Sequence, residues 1–173
     1  YPELAKKHES YEICFVPDND YRNFLKKRIP ELEDKVGGGH FVLSDGTVVG
    51  KHKGYPFYTI GQRKGLDIAL GRPMYVSAID PATNTVVIGD EMDLERSDMH
   101  VSKLNYIKYN AILDGFSSLT KIRYKSTPVA SNLHQVAGGI RVQFDDKVKG
   151  IAPGQSAVFY EGADVVAGGI IMY

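Results

Sequence analysis

From His40 onward the sequence is a succession of short β-prone runs, each cut by a turn signal before a helix of ordinary length could form. Ser44-Asp45-Gly46 separates residues 40–43 from 47–49, and Asp80-Pro81-Ala82-Thr83-Asn84 separates 74–79 from 85–88. Asp-Gly between apolar runs signals a hairpin, because both residues tolerate the positive φ that a tight turn needs. Further strand-like runs lie at 101–107, 119–124, 139–144, 156–160 and 165–172. In the third of these, Ile140, Val142 and Phe144 alternate with Arg141, Gln143 and Asp145, the pattern of a strand with one buried face. Tyr55 to Ile60 is aromatic and β-prone and runs into a glycine-bounded polar loop, Gly61-Gln62-Arg63-Lys64-Gly65-Leu66. Short strands with frequent turns predict a small closed barrel or a sandwich.

One helix is expected, capped by Asp18 or Asn19, carrying Tyr21, Phe24 and Leu25 on one face and ending near Arg28 ahead of Pro30. The triple glycine 37–39 precedes a strand rather than a helix N-terminus. It therefore reads as a flexible joint and not as a phosphate cradle. The fold class is mainly β with a small α+β part. Residues 1–17 form a connecting arm, 18–97 a small central domain, and 98–173 an antiparallel β-barrel, the boundary falling in the acidic run DEMDLERSD.

At 173 residues, with 21 basic and 21 acidic side chains, the chain is long enough for a core and has no net charge. That excludes a strongly basic, non-specific nucleic-acid binder but leaves room for a local basic patch. Cys14 is the only cysteine, so no disulfide can form within the chain and no zinc spacing exists. No metal site is expected. With no membrane-length apolar run and no secretory pattern at the start, a cytoplasmic protein with no membrane partner is expected. The chain opens without Met in charged, loop-like sequence, which reads as a fragment of something longer.

Three groups of residues are candidates for function. Cys14, between Ile13 and Phe15, is by its surroundings either a small buried hydrophobe or a nucleophile. Residues 101–125 hold Lys103, Lys108, Lys121, Arg123 and Lys125 with Tyr106, Tyr109 and Tyr124 interleaved, against Asp114 alone. Lysines and arginines suit phosphates, and aromatic faces suit splayed bases. If Lys121, Arg123 and Lys125 alternate along a strand they share one face; the plainer reading is a solvated strand surface. Gln62, Arg63 and Lys64 sit on a loop of the kind that carries binding, or are simply an exposed turn. Gln155, after Pro153-Gly154, is a weaker candidate of the same sort.

Five blocks, in order, resemble the tRNA 2-thiouridylases: ESYEICFV, LSDGTVVGKHKGYPFYTIGQRKGL, PMYVSAIDPATNTVVIG, KIRYKSTPV and GIAPGQSAVFYEGADVVAGGII. The likeness covers nearly the whole chain. It implies a C-terminal barrel similar to those of elongation factors, following a small central domain. It also implies an activity: replacement of the C2 oxygen of a tRNA wobble uridine by sulfur, with ATP activating that oxygen and a cysteine persulfide delivering the sulfur. By motif position Cys14 is the persulfide-bearing cysteine. The family's Ser-Gly-Gly-x-Asp-Ser ATP loop and its other catalytic cysteine are not in this sequence. ATP is accordingly expected on an N-terminal domain, and this portion is expected to be inactive alone. The partners implied are tRNA and a sulfur-donor protein, either a cysteine desulfurase or a relay protein, and the protein is expected to be a monomer. With an RNA substrate in view, the residues expected to contact it are Gln62, Arg63, Lys64, Lys121, Arg123, Tyr124, Lys125 and Gln155. The competing reading is a stand-alone β-barrel module that binds RNA or protein without chemistry.

Overall fold

The computed structural model describes Val16 and residues 20–172. Helix α1, Tyr21–Arg28, is capped by Asp20, one or two residues later than expected, whose carboxylate accepts the Asn23 N–H at 2.9 Å. Lys26, Lys27 and Arg28 fill its last turn, where the helix dipole favours cations. Ile29 precedes Pro30 and is held out of the helical region (φ −124°, ψ 86°), so the helix stops there. Tyr21 and Leu25 lie against the central core, and the Tyr21 hydroxyl donates to the Phe57 carbonyl at 2.7 Å. A second short helix, α2 (Leu32–Val36), was not legible in the sequence.

Of the triple glycine, Gly37 and Gly38 are exposed and nothing crowds Gly38, whereas the last residue is enclosed. Gly39 is buried, and a Cβ there would collide with the Asn84 carbonyl and the His52 ring. The residue is glycine because two segments close over it. β1 (His40–Val42) and β2 (Val48–Lys51) form the expected hairpin, as do β3 (Tyr75–Asp80) and β4 (Thr85–Gly89). The order is β2-β1-β4-β3, with β1 parallel to β4 and the other pairs antiparallel.

Tyr55 to Ile60 does not continue as a strand. Pro56 sits in a 3-10 turn, Tyr55–Phe57, and a residue without an N–H cannot serve a central ladder. The turn instead drives Phe57 and Tyr58 into a core with Phe41, Leu66, Val76, Val86 and Ile88. Phe41 and Tyr58 meet edge to face at 5.1 Å. Among the described residues no helix is long and apolar enough to cross a membrane.

The acidic run forms a 3-10 turn, Glu91–Leu94, in which the Asp90 N–H donates to Asp93 at 2.8 Å. Strand β5 follows at once (Glu95–Tyr106), six residues ahead of the apolar start at Val101. Charge hides this early portion in sequence but supports it in the sheet, where Glu95 lies opposite Lys149. β6 (Phe116–Lys121), β7 (Val129–Val136), β8 (Gly139–Lys149), β9 (Ser156–Glu161) and β10 (Asp164–Ile171) complete a closed antiparallel barrel in the order β10-β5-β8-β7-β6-β9. Its interior holds Val101, Leu133, Ile140, Val142, Phe159 and Val166, all essentially inaccessible.

β7 is absent from the run of strands expected from the sequence. One of its inward positions is Ser131, which breaks the apolar alternation. Ser131 is accommodated because β6 places Ser118 and Thr120 inside beside it. The Thr120 and Ser131 hydroxyls lie 2.6 Å apart, and each is 3.1 Å from Ser118 Oγ.

Candidate functional site

Strand β6 ends at Lys121, and residues 122–126 turn outward. Lys121, Arg123 and Lys125 therefore do not alternate along one strand, which corrects the simplest reading of KIRYK. Buried Ile122 pins the turn. Ser126 locks it: its hydroxyl donates to the Arg123 carbonyl at 2.8 Å and accepts the Arg123 N–H at 3.2 Å.

β9 runs beside β6 with Lys121 opposite Val158, so the Pro153-Gly154-Gln155 turn comes up next to the Arg123 turn. Lys121, Arg123, Tyr124, Gln155, Ser156, Val158 and Tyr160 line one open cleft of about 310 Å³. Lys121 Nζ stands 5.5 Å from the centre of the Tyr124 ring, which is 61% exposed. A cation beside an exposed aromatic face can take a phosphate and a base together. Four residues singled out from the sequence thus meet in one place although more than thirty positions separate Lys121 from Gln155. Lys125 is exposed on the same turn and is not among the lining residues.

Ser156, Val158 and Tyr160 were missed. Their signal was available: they are the outward positions of a strand whose alternate residues, Ala157 and Phe159, are fully buried. Lys108, counted in the basic stretch, is spent elsewhere. It contacts Glu161 at 2.6 Å and Asp164 at 2.7 Å, and these hydrogen bonds, that to Asp164 foremost, push its pKa well above the ordinary lysine value.

Gln62, Arg63 and Lys64 form a separate feature. Gln62 is turned to bracing its own loop: Oε1 accepts the Thr59 N–H at 3.1 Å and Nε2 donates to the Lys64 carbonyl at 2.9 Å. Gly61 and Gly65 hold positive φ, and Leu66 anchors the loop in the core. Arg63 and Lys64 are exposed as a result. Arg63 faces a second cleft of about 510 Å³ bounded by Asp67 and by Arg72, the latter paired with Asp90 at 2.8 Å.

In the small sheet's domain His52 is buried. Its Nδ1 accepts the Gly54 N–H at 3.0 Å, so the proton sits on Nε2, 3.2 Å from the Asn84 carbonyl. Burial pushes its pKa below the ordinary histidine value, in part offset by the Asn84 contact. Among the described residues no group of histidine, cysteine and carboxylates could hold a metal. Cys14 lies outside the described residues.

Two family descriptions cover most of this architecture. Residues 22–90 match the tRNA methyl transferase PRC-barrel domain, and residues 96–171 match the aminomethyltransferase β-barrel domain. Curated relatives match across both. The tRNA-specific 2-thiouridylase MnmA of Cytophaga hutchinsonii is 57% identical over 173 residues, covering 99% of this chain and 47% of the relative. That of Amoebophilus asiaticus is 54% identical over 172 residues, 99% of this chain and 46% of its own. That of Salinibacter ruber is 48% identical over 169 residues, 97% and 44%. The chain belongs to the tRNA-specific 2-thiouridylase family, and it spans about half the length of the curated relatives it matches.

Proposed function

We propose that this chain is the C-terminal, RNA-gripping portion of a cytoplasmic tRNA sulfurtransferase that 2-thiolates a wobble uridine. The observation that carries this reading is the barrel cleft, where Lys121, Arg123, Tyr124 and Gln155 converge from two distant segments. Cations there hold the phosphate backbone of an anticodon arm, while Tyr124 offers a face to an unstacked base. Arg63 and Lys64 supply a second phosphate contact from the central loop. Cys14 carries the transferable sulfur as a persulfide received from a donor protein, a role that suits a thiolate-forming side chain. ATP, which makes the uridine oxygen a leaving group, is assigned to the part of the parent enzyme outside this sequence. The residues described here grip and orient the RNA.

Two measurements test this. The first is the 2-thiouridine content of tRNA, by mass spectrometry, in cells whose only copy of the parent gene carries Cys14→Ser at matched protein abundance. Loss of 2-thiouridine supports the sulfur-carrying role, and retention at wild-type level makes Cys14 a packing residue. The second is binding of the full chain to an anticodon stem–loop RNA across a salt series. Arg123→Ala with Lys121→Ala is expected to weaken binding and to reduce the log–log salt slope by about 0.7–0.9 per contact removed. An unchanged slope would take the cleft off the RNA surface.

A further inference from the structure

Arg123 is the exposed cation of the barrel cleft, yet its guanidinium does not swing freely. Its Nη2 donates to the backbone carbonyl of Lys149 at 3.1 Å. The next residue, Gly150, is buried with φ +70°, and a Cβ built there would stand 2.8 Å from that same Nη2. An added Cβ at position 150 would therefore push the guanidinium out of the place it now occupies. Among the described residues no other side chain or carbonyl takes one of its remaining N–H donors.

The cradle is itself anchored. The Gly150 N–H donates to the Leu94 carbonyl at 3.2 Å, and Lys149 Nζ reaches Glu91 at 3.1 Å and Glu95 at 3.7 Å. All three belong to the turn and strand start that join the small sheet to the barrel. Ser126 fixes the main chain of Arg123 from the other side. A long, rotamer-rich side chain is thus held at both ends before any ligand arrives, which lowers the ordering cost of binding.

We propose that Gly150 is a positioning residue for Arg123: its missing side chain, with the Lys149 carbonyl, holds the guanidinium ready at the mouth of the cleft for a phosphate of the bound RNA. This rests on the reading of the cleft as an RNA-binding site. Gly150 touches no RNA itself and acts only through Arg123.

The test is a double-mutant cycle on the full chain, with an anticodon stem–loop RNA as the probe and affinity measured over a salt series. Arg123→Ala is expected to cost about tenfold in affinity, as the loss of one charge-assisted phosphate contact would, and to lower the salt slope by about 0.7–0.9. Gly150→Ala is expected to cost about as much and to lower the slope equally, and the double variant to bind no worse than Arg123→Ala alone. Gly138→Ala controls for backbone strain. Gly138 also has positive φ, +82°, but nothing lies within 4 Å of a Cβ there. It should lower thermal stability and leave RNA binding unchanged. A folded Gly150→Ala protein with wild-type affinity and slope overturns the proposal, as does a loss that adds to that of Arg123→Ala. If Arg123→Ala itself leaves binding unaltered, the cleft reading fails first. Should Gly150→Ala not fold, Arg123→Lys decides. Lysine keeps the charge but lacks the planar guanidinium whose splayed donors reach the Lys149 carbonyl and an outward phosphate together, so it should bind more weakly than the parent. Wild-type binding by Arg123→Lys refutes the cradle.

Discussion

Replacing Ser131 by alanine should destabilise the barrel far more than its size suggests. The Ser131 hydroxyl is buried, 2.6 Å from Thr120 Oγ1 and 3.1 Å from Ser118 Oγ, and it donates to the Ser118 carbonyl at 3.3 Å. Alanine removes the shortest bond of the three-hydroxyl cluster. It leaves Thr120 with only the 3.1 Å contact to Ser118, in a wall that water does not reach. A buried hydroxyl that loses a partner costs about 1–3 kcal/mol, and the surviving Ser118–Thr120 bond argues for the lower half of that range. The expected loss is therefore about 1–2 kcal/mol, read by urea denaturation followed through barrel-specific signals.

The sharper expectation concerns the triple variant Ser118→Ala, Thr120→Val, Ser131→Ala. Removing the three hydroxyls together leaves none of them unsatisfied and adds apolar surface to the core, so its stability should lie within about 1 kcal/mol of the parent. If Ser131→Ala is neutral, or if the triple loss equals the sum of three single losses, the hydroxyls are not acting as one coupled network and the reasoning fails.

The remaining expectations concern other parts of the molecule. Gly39→Ala should cost about 1–3 kcal/mol from overpacking against Asn84 and His52; wild-type stability in a denaturant titration would show that the strand entrance can relax. His52 titrates below its ordinary pKa of 6.5, so the unfolded chain binds the proton more readily than the folded one. Its contribution is present above pH 6.5 and is lost as pH falls toward the depressed folded value. Stability measured from pH 7.5 to 5 should therefore fall on the acid side, and His52→Asn should flatten that fall; an equally steep profile in the variant would assign it to other groups. Lys108→Ala should leave anticodon-arm affinity unchanged, because Glu161 and Asp164 already hold that charge. A loss matching that of Lys121→Ala would place Lys108 on the RNA.

What could be read directly from the sequence was whatever depends on near neighbours along the chain. The two hairpins of the small sheet rest on Asp-Gly and Asp-Pro turns between runs only a few residues apart, and the buried face of β8 is written in its own alternation. The family likeness was legible for a similar reason, since its blocks are contiguous. What failed was local pattern overruled by a distant partner. Ser131 looks wrong for a strand interior until Ser118 and Thr120 arrive opposite it, and the charged start of β5 looks like a linker until Lys149 lies across from Glu95.

The cleft belongs to this second category. The sequence supplied its cations, its aromatic ring and its glutamine as separate suggestions. Only barrel closure, which sets β9 against both β6 and β10, brings Gln155 to Lys121 and Arg123. The space in which Arg123 rests is left open by a glycine 27 positions away, where an added Cβ would meet the tip of the guanidinium at 2.8 Å. Chain-local chemistry determined the strands and turns. Long-range pairing decided which exposed side chains share a site, because register between distant strands is fixed by the packing of the whole barrel and not by any one of them.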